Sequence, residues 1–399
     1  MRLRIGFDAW GLSGALLYTG MGQYARHVIG GIAADAAFDV VAYGAPREPR
    51  PAWLPETVAW RTPSAPVPRK TAAIATRVLV MRRGVAVDRL DVLHVPALHL
   101  RPSLPPVPSA PCPVVTTVHD VIPLTSYAAQ LPWRLRAFYR WNLHRALRSA
   151  CVITVSNTAR NEIVDRAGSD ASRVVAIPNG IDFASNPDRA PLERRGIGRP
   201  YVLYAGSYEP RKNLRGALTA YARLADNGAE QDMVAIVERD SGHAAGAHAQ
   251  IARLGIGGRV HLLHSLDDAE VRALYTHAEA LLFPSFAEGF GFPPLQAAAC
   301  GVPVVASDIP AVRETMGASA RYVDPADAAS IAAGLRDVLR DAQIRAHLVE
   351  GARERARRFT WSESVAAHAA VYERVARRSR VQADRAAEGV GAGGALRGM

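Results

Sequence analysis

Residues Leu281 to Pro310 read LLFPSFAEGFGFPPLQAAACGVPVVASDIP, and the punctuation of this stretch decides the fold. Ala280 to Phe283 and Val302 to Ala306 are short apolar runs halted by Pro and Gly, the pattern of strands covered on both faces of a parallel sheet. Two parallel neighbours need a crossover between them. Pro293 and Pro294 suit the first turn of a helix, where a proline forfeits no needed amide bond. Leu295 to Cys300 continues that helix with small residues, and Gly301 ends it. The loop Glu288-Gly289-Phe290-Gly291-Phe292 thus falls at the carboxyl end of a strand and the amino end of a helix, where backbone amides and the helix dipole favour anionic groups. Glu288 would repel a bare phosphate, but it can accept hydrogen bonds from the hydroxyls of a sugar whose phosphate rests on those amides. A sugar diphosphate suits such a loop. The plainer alternative is a loop carboxylate favoured by the dipole alone.

Working outward, Tyr201 to Ala205 is another apolar strand running into Gly206, with a helix from about Asn213. Glu209-Pro210-Arg211-Lys212-Asn213 sits at that helix N-terminus, where cations oppose the dipole unless an anion is shared between them. Of 48 basic residues 46 are Arg and only Lys70 and Lys212 are Lys, so a compact ammonium here is informative. Val234 to Val237, Val260 to His264 and Arg321 to Val323 read as further strands, and Asp267-Asp268 as the cap of a helix to His277. Thr360-x-x-Glu363 is a capping box before a helix to about Arg377, and 380–399, rich in Gly and Ala, reads as disordered.

The first half repeats the alternation. Arg4 to Asp8 is a strand, and Thr19-Gly20-Met21-Gly22-Gln23-Tyr24 opens a helix to about Ala33, a geometry by which a chain approaches phosphate. Its spacing is not the dinucleotide fingerprint, and the glycines alone also fit a plain turn. Phe38 to Tyr43, Val58 to Arg61, Asp91 to Val95 and Val114 to Val118 follow as strands, the last ending in His119-Asp120 on the edge where open α/β sheets bind ligands. A core histidine bonded to a backbone carbonyl is the alternative for His119. Leu131 to Ala150 carries five Arg, two Trp and no acid. Such a helix can lie on an anionic membrane or simply cover the sheet. Pro178-Asn179-Gly180-Ile181-Asp182 is a turn, and 186–200 reads as an interdomain linker.

A length of 399 residues supports two domains. No apolar window approaches the roughly 18 residues of a membrane span, and no cleavage site follows MRLRIGFDAW, so a cytoplasmic protein is expected. Cys112, Cys151 and Cys300 are too scattered for a metal site or a disulfide framework and read as packing. The net charge of +11 points to an acidic partner, although the Arg bias makes part of it compositional.

The stretch EGFGFPPLQAAACGVPVVASDIP resembles the donor-site signature of retaining glycosyltransferases of the GT-B fold, glycosyltransferase group 1 or family 4. The resemblance extends from about Arg4 to Arg377, dense in the second half and thin between Ala45 and Leu90. It implies an α/β protein of two Rossmann-like domains facing across a cleft. The expected boundaries are 1–185 for an acceptor-side domain, 201–359 for a nucleotide-sugar domain, and 360–378 for a helix crossing back to the first. It implies that Lys212 grips the donor diphosphate, that Glu288 positions the sugar, and that Gly289, Phe290, Gly291, Phe292 and Leu295 line the donor site. Gly20 and Gly22 would face the diphosphate, His119 the reacting centre, and Asp120 would orient His119 or bind acceptor. The family's second motif Glu is here Gln296, which keeps one acceptor for the ribose and loses charge assistance. An Arg common in the family falls near Ser207, so Arg211 substitutes or faces solvent. The Glu238-Arg239-Asp240-Ser241-Gly242 segment departs from the family's glycine-rich turn.

The implied reaction moves a hexose, mannose or deoxy-mannose, from a GDP-linked donor to a lipid-linked or oligosaccharide acceptor of bacterial surface polysaccharide. No metal or other cofactor and no nucleic acid is expected, and residues 131–150 could meet the inner face of the plasma membrane. A UDP-hexose donor is the main alternative. A pyridoxal-phosphate phosphorylase is disfavoured because Lys212 is the only lysine of the second half, and an epimerase because no carboxylate pair is evident. A decayed partner subunit is the non-enzyme alternative, favoured by Gln296, Ser207 and the altered turn at Glu238 and opposed by Lys212, Glu288 and His119 together.

Overall fold

The computed structural model describes residues 2–9, 12, 19–45, 48–62, 84–97, 110–125, 131–237 and 243–394. The chain divides into two compact units, Met1–Gly180 with Trp361–Met399, and Ile181–Thr360. The first holds β1 (Leu3–Asp8), β2 (Phe38–Tyr43), β3 (Ala59–Arg61), β4 (Val92–Val95), β5 (Val114–Thr117), β6 (Cys151–Thr154) and β7 (Val174–Ala176). They form one parallel sheet in the order β3-β2-β1-β4-β5-β6-β7. The second holds β8 (Tyr201–Ala205), β9 (Asp232–Ile236), β10 (Val260–Leu263), β11 (Ala280–Phe283), β12 (Val304–Ser307) and β13 (Arg321–Val323), in the order β10-β9-β8-β11-β12-β13, again all parallel.

The apolar runs have the cause expected of them. Strands β4, β5, β6, β8, β11 and β12 are buried along their whole length, whereas the edge strand β10 is half-buried at every residue. In both sheets the strand order reverses at one point, between β1 and β4 and between β8 and β11. Such a reversal is where open α/β sheets bind ligands, outside the carboxyl ends of the strands, because the connections leave there in opposite directions. In the second unit Val202 lies opposite Ala280 and Tyr204 opposite Leu282, so the loops after Ala205 and Phe283 start side by side.

The first unit is closed by two helices. Gly20–Ala34 lays Tyr24, Ala25, Val28, Ile29 and Ile32 into the core, and Trp361–Gly394 adds Val371, Tyr372, Val375 and Ala376 to the same cluster. Gly31 is required where these helices meet: a Cβ there would lie 2.4 Å from Cγ2 of Val365.

Two readings of the sequence are corrected. Of the tail 380–399, expected to be disordered, residues 380–394 continue the last helix to Gly394, and 395–399 lie outside the described residues. Six of the eight residues in its sequence RVQADRAA, the three Ala, two Arg and one Gln, are good helix formers, and Arg380 closes an ion pair of 2.6 Å on Asp91. The 186–200 segment is no plain linker, since it carries the short helix Ala190–Arg194 and belongs to the second unit. It is stapled to the helix Asp268–Thr276, where Arg195 Nε donates to Glu270 Oε1 at 2.7 Å and the Asn186 amide to Thr276 Oγ1 at 2.8 Å. That helix has the capping box of Asp267 and Glu270. Charged side chains concealed this packing, because they read as solvated.

Candidate functional site

In the second unit the loops on either side of the strand-order reversal are tied together. The Phe286 amide donates to the Arg211 carbonyl at 2.8 Å. Asn213, left-handed at φ 57°, accepts from the Gly216 amide at 3.0 Å and so caps the helix Leu214–Asp226. Its Nδ2 donates to the carbonyls of Pro284 and Pro325 at 3.1 and 2.7 Å, which joins three loops through one side chain. From inside β8 the Tyr204 hydroxyl reaches the carbonyls of Ser207 and Lys212, fixing the turn from below. Ser207 is used within that turn, its Oγ accepting from the Glu209 amide.

On this frame Lys212 Nζ lies 2.7 Å from Glu288 Oε1, Arg211 Nη1 3.5 Å from Glu288 Oε2, and Arg211 Nε 2.7 Å from Glu209 Oε2. Only 7% of the Glu288 side chain and 15% of that of Lys212 is exposed. Arg211 therefore turns toward Glu288 rather than toward solvent. Burial works to raise the Glu288 carboxyl, but Lys212 and Arg211 beside it, with hydrogen bonds from Lys212 and Ser285, outweigh burial and hold it below its ordinary value. Burial pulls the Lys212 ammonium down, against the pull of Glu288. The fall at Glu288 governs the pair, because a carboxylate flanked by two cations keeps its charge, and that charge keeps the lysine proton. The ammonium also stands 5.5 Å from the centre of the Phe283 ring. The anion that Arg211 and Lys212 require at a helix N-terminus is thus supplied by Glu288. Residues expected to hold different parts of one ligand hold each other.

Past Glu288 the chain turns through Gly291 at φ 92° into the helix Phe292–Cys300, which ends at Gly301 at φ 73°. Phe290 is buried against the rings of Phe292 and Phe359, 5.3 and 5.6 Å away, and Leu295 is wholly buried. Both are core side chains, not exposed ligand contacts. Pro293 and Pro294 carry no N–H, which removes two donors from the first turn and makes it a poorer anion cradle than the dipole alone suggests. Gln296 follows on the same helix, half-buried.

In the first unit His119 lies just beyond β5. Its Nε2 is 3.0 Å from the Pro96 carbonyl. A carbonyl can only accept, so Nε2 carries the proton and Nδ1 the lone pair, which has no hydrogen bond among the described residues. Burial, partly opposed by the Pro96 bond, pulls the imidazole down to about 4, and it is neutral near pH 7. Among the described residues Asp120 is held by its neighbours in the loop, the Tyr139 hydroxyl donating to its carbonyl at 2.7 Å. Asp120 Oδ1 accepts from the Ile122 amide at the start of the turn Ile122–Leu124, as a short acidic side chain does readily. Orientation comes from Pro96 and from Tyr24, whose ring meets His119 edge-on at 4.9 Å and 85°. Gly20 and Gly22 lie in the first helical turn, and the Gly22 amide is bound by Thr19 Oγ1 at 3.3 Å as the helix cap.

Reading the sequence missed the polar side chains behind His119: His94, Thr117, His368 and Tyr372. The available signal was polar residues inside apolar periods, His94 in VLHV and His368 with Tyr372 one turn apart. The basic helix spans Trp133–Ala146; Tyr139, Leu143 and Ala146 cover the sheet while Trp133 and Trp141 stay 67% and 46% exposed, with Arg134 and Arg145 over their rings. Cys151 is buried, Cys112 and Cys300 half-buried, and all three are free thiols. The Glu238 to Gly242 segment lies outside the described residues. No described helix is long and apolar enough to cross a membrane.

Comparison with known proteins adds the following. Residues 192–355 match the family model described as Glycosyl transferases group 1, and residues 18–185 that described as Glycosyltransferase Family 4. The chain is similar to the O-antigen chain mannosyltransferase B of Escherichia coli, 32% identical over 256 residues that make up 62% of this chain and 66% of that protein. It is 31% identical to the phosphatidyl-myo-inositol mannosyltransferase of Mycolicibacterium smegmatis over 304 residues, 74% of either chain. Among solved structures it resembles sucrose-phosphate synthase from Thermosynechococcus elongatus, with a TM-score of 0.73 at 19% identity over 94% of this chain and 99% of that one, a likeness of fold.

Proposed function

We propose, on the premise that the chain belongs to the glycosyltransferase group 1 family and is a glycosyltransferase, that it moves mannose or a deoxy-mannose from a GDP-linked donor to a glycan or lipid-diphosphate-linked acceptor. Surface polysaccharide assembly is the setting that the O-antigen relative suggests. The observation that carries this reading is the buried Lys212–Glu288 pair at the strand-order reversal. An arriving diphosphate draws Lys212 and Arg211 off Glu288, and the released carboxylate then accepts from the sugar hydroxyls. When the bond from the anomeric carbon to the phosphate oxygen breaks, charge gathers on the departing nucleoside diphosphate, and both cations stabilise it in a largely dry setting. The acceptor hydroxyl attacks from the same face, its oxygen bonding to the anomeric carbon and its proton passing to the leaving phosphate, so the sugar's configuration is retained. The two cations supply the charge that a divalent ion would otherwise bring, and the reaction should proceed in chelator. Gln296 takes a ribose hydroxyl, and His119, neutral with its lone pair at Nδ1, accepts a hydrogen bond from a substrate hydroxyl without removing its proton. The exposed Trp133 and Trp141 among arginines would seat the first unit on anionic lipid, near a lipid-linked acceptor.

The test is incubation with GDP-mannose or UDP-glucose, in EDTA, with a bacterial membrane fraction as acceptor. Release of GDP with label entering the lipid fraction is expected. Release of UDP alone would move the reading to a UDP-hexose donor, and release of neither would favour a decayed partner subunit.

A further inference from the structure

Behind His119 the first unit contains a line of five polar side chains, all fully buried, that the proposed reaction does not use: Tyr24, His94, Thr117, His368 and Tyr372. Their hydrogen bonds run Ser364 O to His368 Nδ1 at 2.7 Å, His368 Nε2 to Tyr24 Oη at 2.7 Å, Tyr24 Oη to Thr117 Oγ1 at 2.6 Å, Thr117 Oγ1 to His94 Nε2 at 2.8 Å, and His94 Nδ1 to Tyr372 Oη at 2.7 Å. One end fixes every proton. The Ser364 carbonyl can only accept, so His368 Nδ1 donates and its Nε2 accepts from the Tyr24 hydroxyl. Tyr24 oxygen then accepts from the Thr117 hydroxyl, whose oxygen accepts from His94 Nε2–H, and His94 Nδ1 accepts from Tyr372. Each polar atom in the line is satisfied and none can reverse without breaking the next, the condition under which a buried network specifies a single arrangement.

The line has a consequence at its Tyr24 end. That ring stands among three imidazoles, with His94 and His368 at 6.5 and 5.5 Å and His119 edge-on at 4.9 Å. Its hydroxyl is held by two bonds, so the ring cannot turn, and it forms one wall of His119 while the Pro96 carbonyl holds Nε2. We propose that Tyr24 is a positioning residue, through which the helix Trp361–Gly394 fixes the His119 ring with Nε2 protonated and Nδ1 presented as the acceptor. This rests on the reading of His119 as a reaction-site residue. The carboxy-terminal helix is then part of the catalytic apparatus of the first unit although it brings no group to the substrate.

Tyr24→Phe keeps the ring and removes the hydroxyl. Two measurements test it: turnover with GDP-mannose and a membrane acceptor, and the nitrogen-15 imidazole shifts of the folded protein, which report tautomers without substrate. The expected result is a fall of about tenfold in kcat with the donor KM unchanged, and loss of the pure Nε2–H pattern at His119. His119→Ala should fall further, by roughly a hundredfold. If His119→Ala is damaging while Tyr24→Phe leaves kcat and the tautomer intact, the inference fails and the function of the site stands. If His119→Ala is fully active, the role given to His119 falls and the inference with it. Should Tyr24→Phe not fold, Tyr372→Phe severs only the far bond of the line. It must then show a mixed His119 tautomer, and an unchanged one overturns the proposal.

Discussion

The two units solve the same problem with opposite chemistry. Each places its candidate residues beside the carboxyl ends of a parallel sheet whose order reverses once. In the second unit the residues are charged and paired across two loops, as the largely buried Lys212 and Glu288 show. In the first, His119 is neutral and is backed by a buried line of hydrogen bonds from Tyr372 to His368. A charged pair can exchange partners when a polyanion arrives, whereas a satisfied neutral line resists exchange and fixes one tautomer. The donor-binding role therefore suits the second unit, and orientation of a single imidazole suits the first.

The sharpest way to break this contrast is Lys212→Ala. Removing the nearer of its two cations leaves the buried Glu288 carboxylate with only the longer Arg211 contact of 3.5 Å, so unfolding of the second unit should be easier by about 3 kcal/mol, and turnover should drop by roughly two to three orders of magnitude. Adding Glu288→Gln should return most of the stability and none of the activity. Urea unfolding with steady-state rates checks both, and a single variant that is stable and active would refute the pairing.

Acid should separate the units next. His119 and His368 fall from 6.5 to about 4 on folding because burial disfavours the charged ring, and His94 moves in the same direction. The unfolded chain then binds more protons than the folded one between those values, so the first unit loses stability as the pH drops from about 6.5 to about 4. Glu288 works in a lower window. Despite burial its carboxyl lies below the ordinary 4.5, so its contribution is whole above that value and is lost only further down. All six tryptophans lie in the first unit, so their fluorescence follows that unit while circular dichroism follows both. The fluorescence transition should come first on acidification, and the reverse order would contradict the neutral-line account. The smallest effect is expected of Gln296→Glu, which should tighten nucleoside diphosphate binding about fivefold by restoring charge to one hydrogen bond.

The sequence made the strand series, the strand-to-helix turn at Glu288 and the cation cluster at Lys212 legible, because each is local: an apolar period, a proline pair, a charge on the wrong end of a dipole. It did not reveal that Glu288 answers Lys212, since the two are 76 positions apart and meet only through the β8–β11 register. His119 was visible at a strand end, while its support was not, because Tyr24 and His368 are 344 positions apart. The last helix was cut short because glycine near its end outweighed the helix formers before it.

The most direct test of the account is the binding of GDP, UDP, dTDP and ADP, followed by thermal stability, to the wild type and to Lys212→Ala. A nucleotide at 100 times its dissociation constant adds roughly 2.7 kcal/mol. One nucleotide, GDP, should stabilise the wild type clearly and the variant little. No shift with any nucleotide at millimolar concentration, or an equal shift in both proteins, would contradict a diphosphate site built on Lys212.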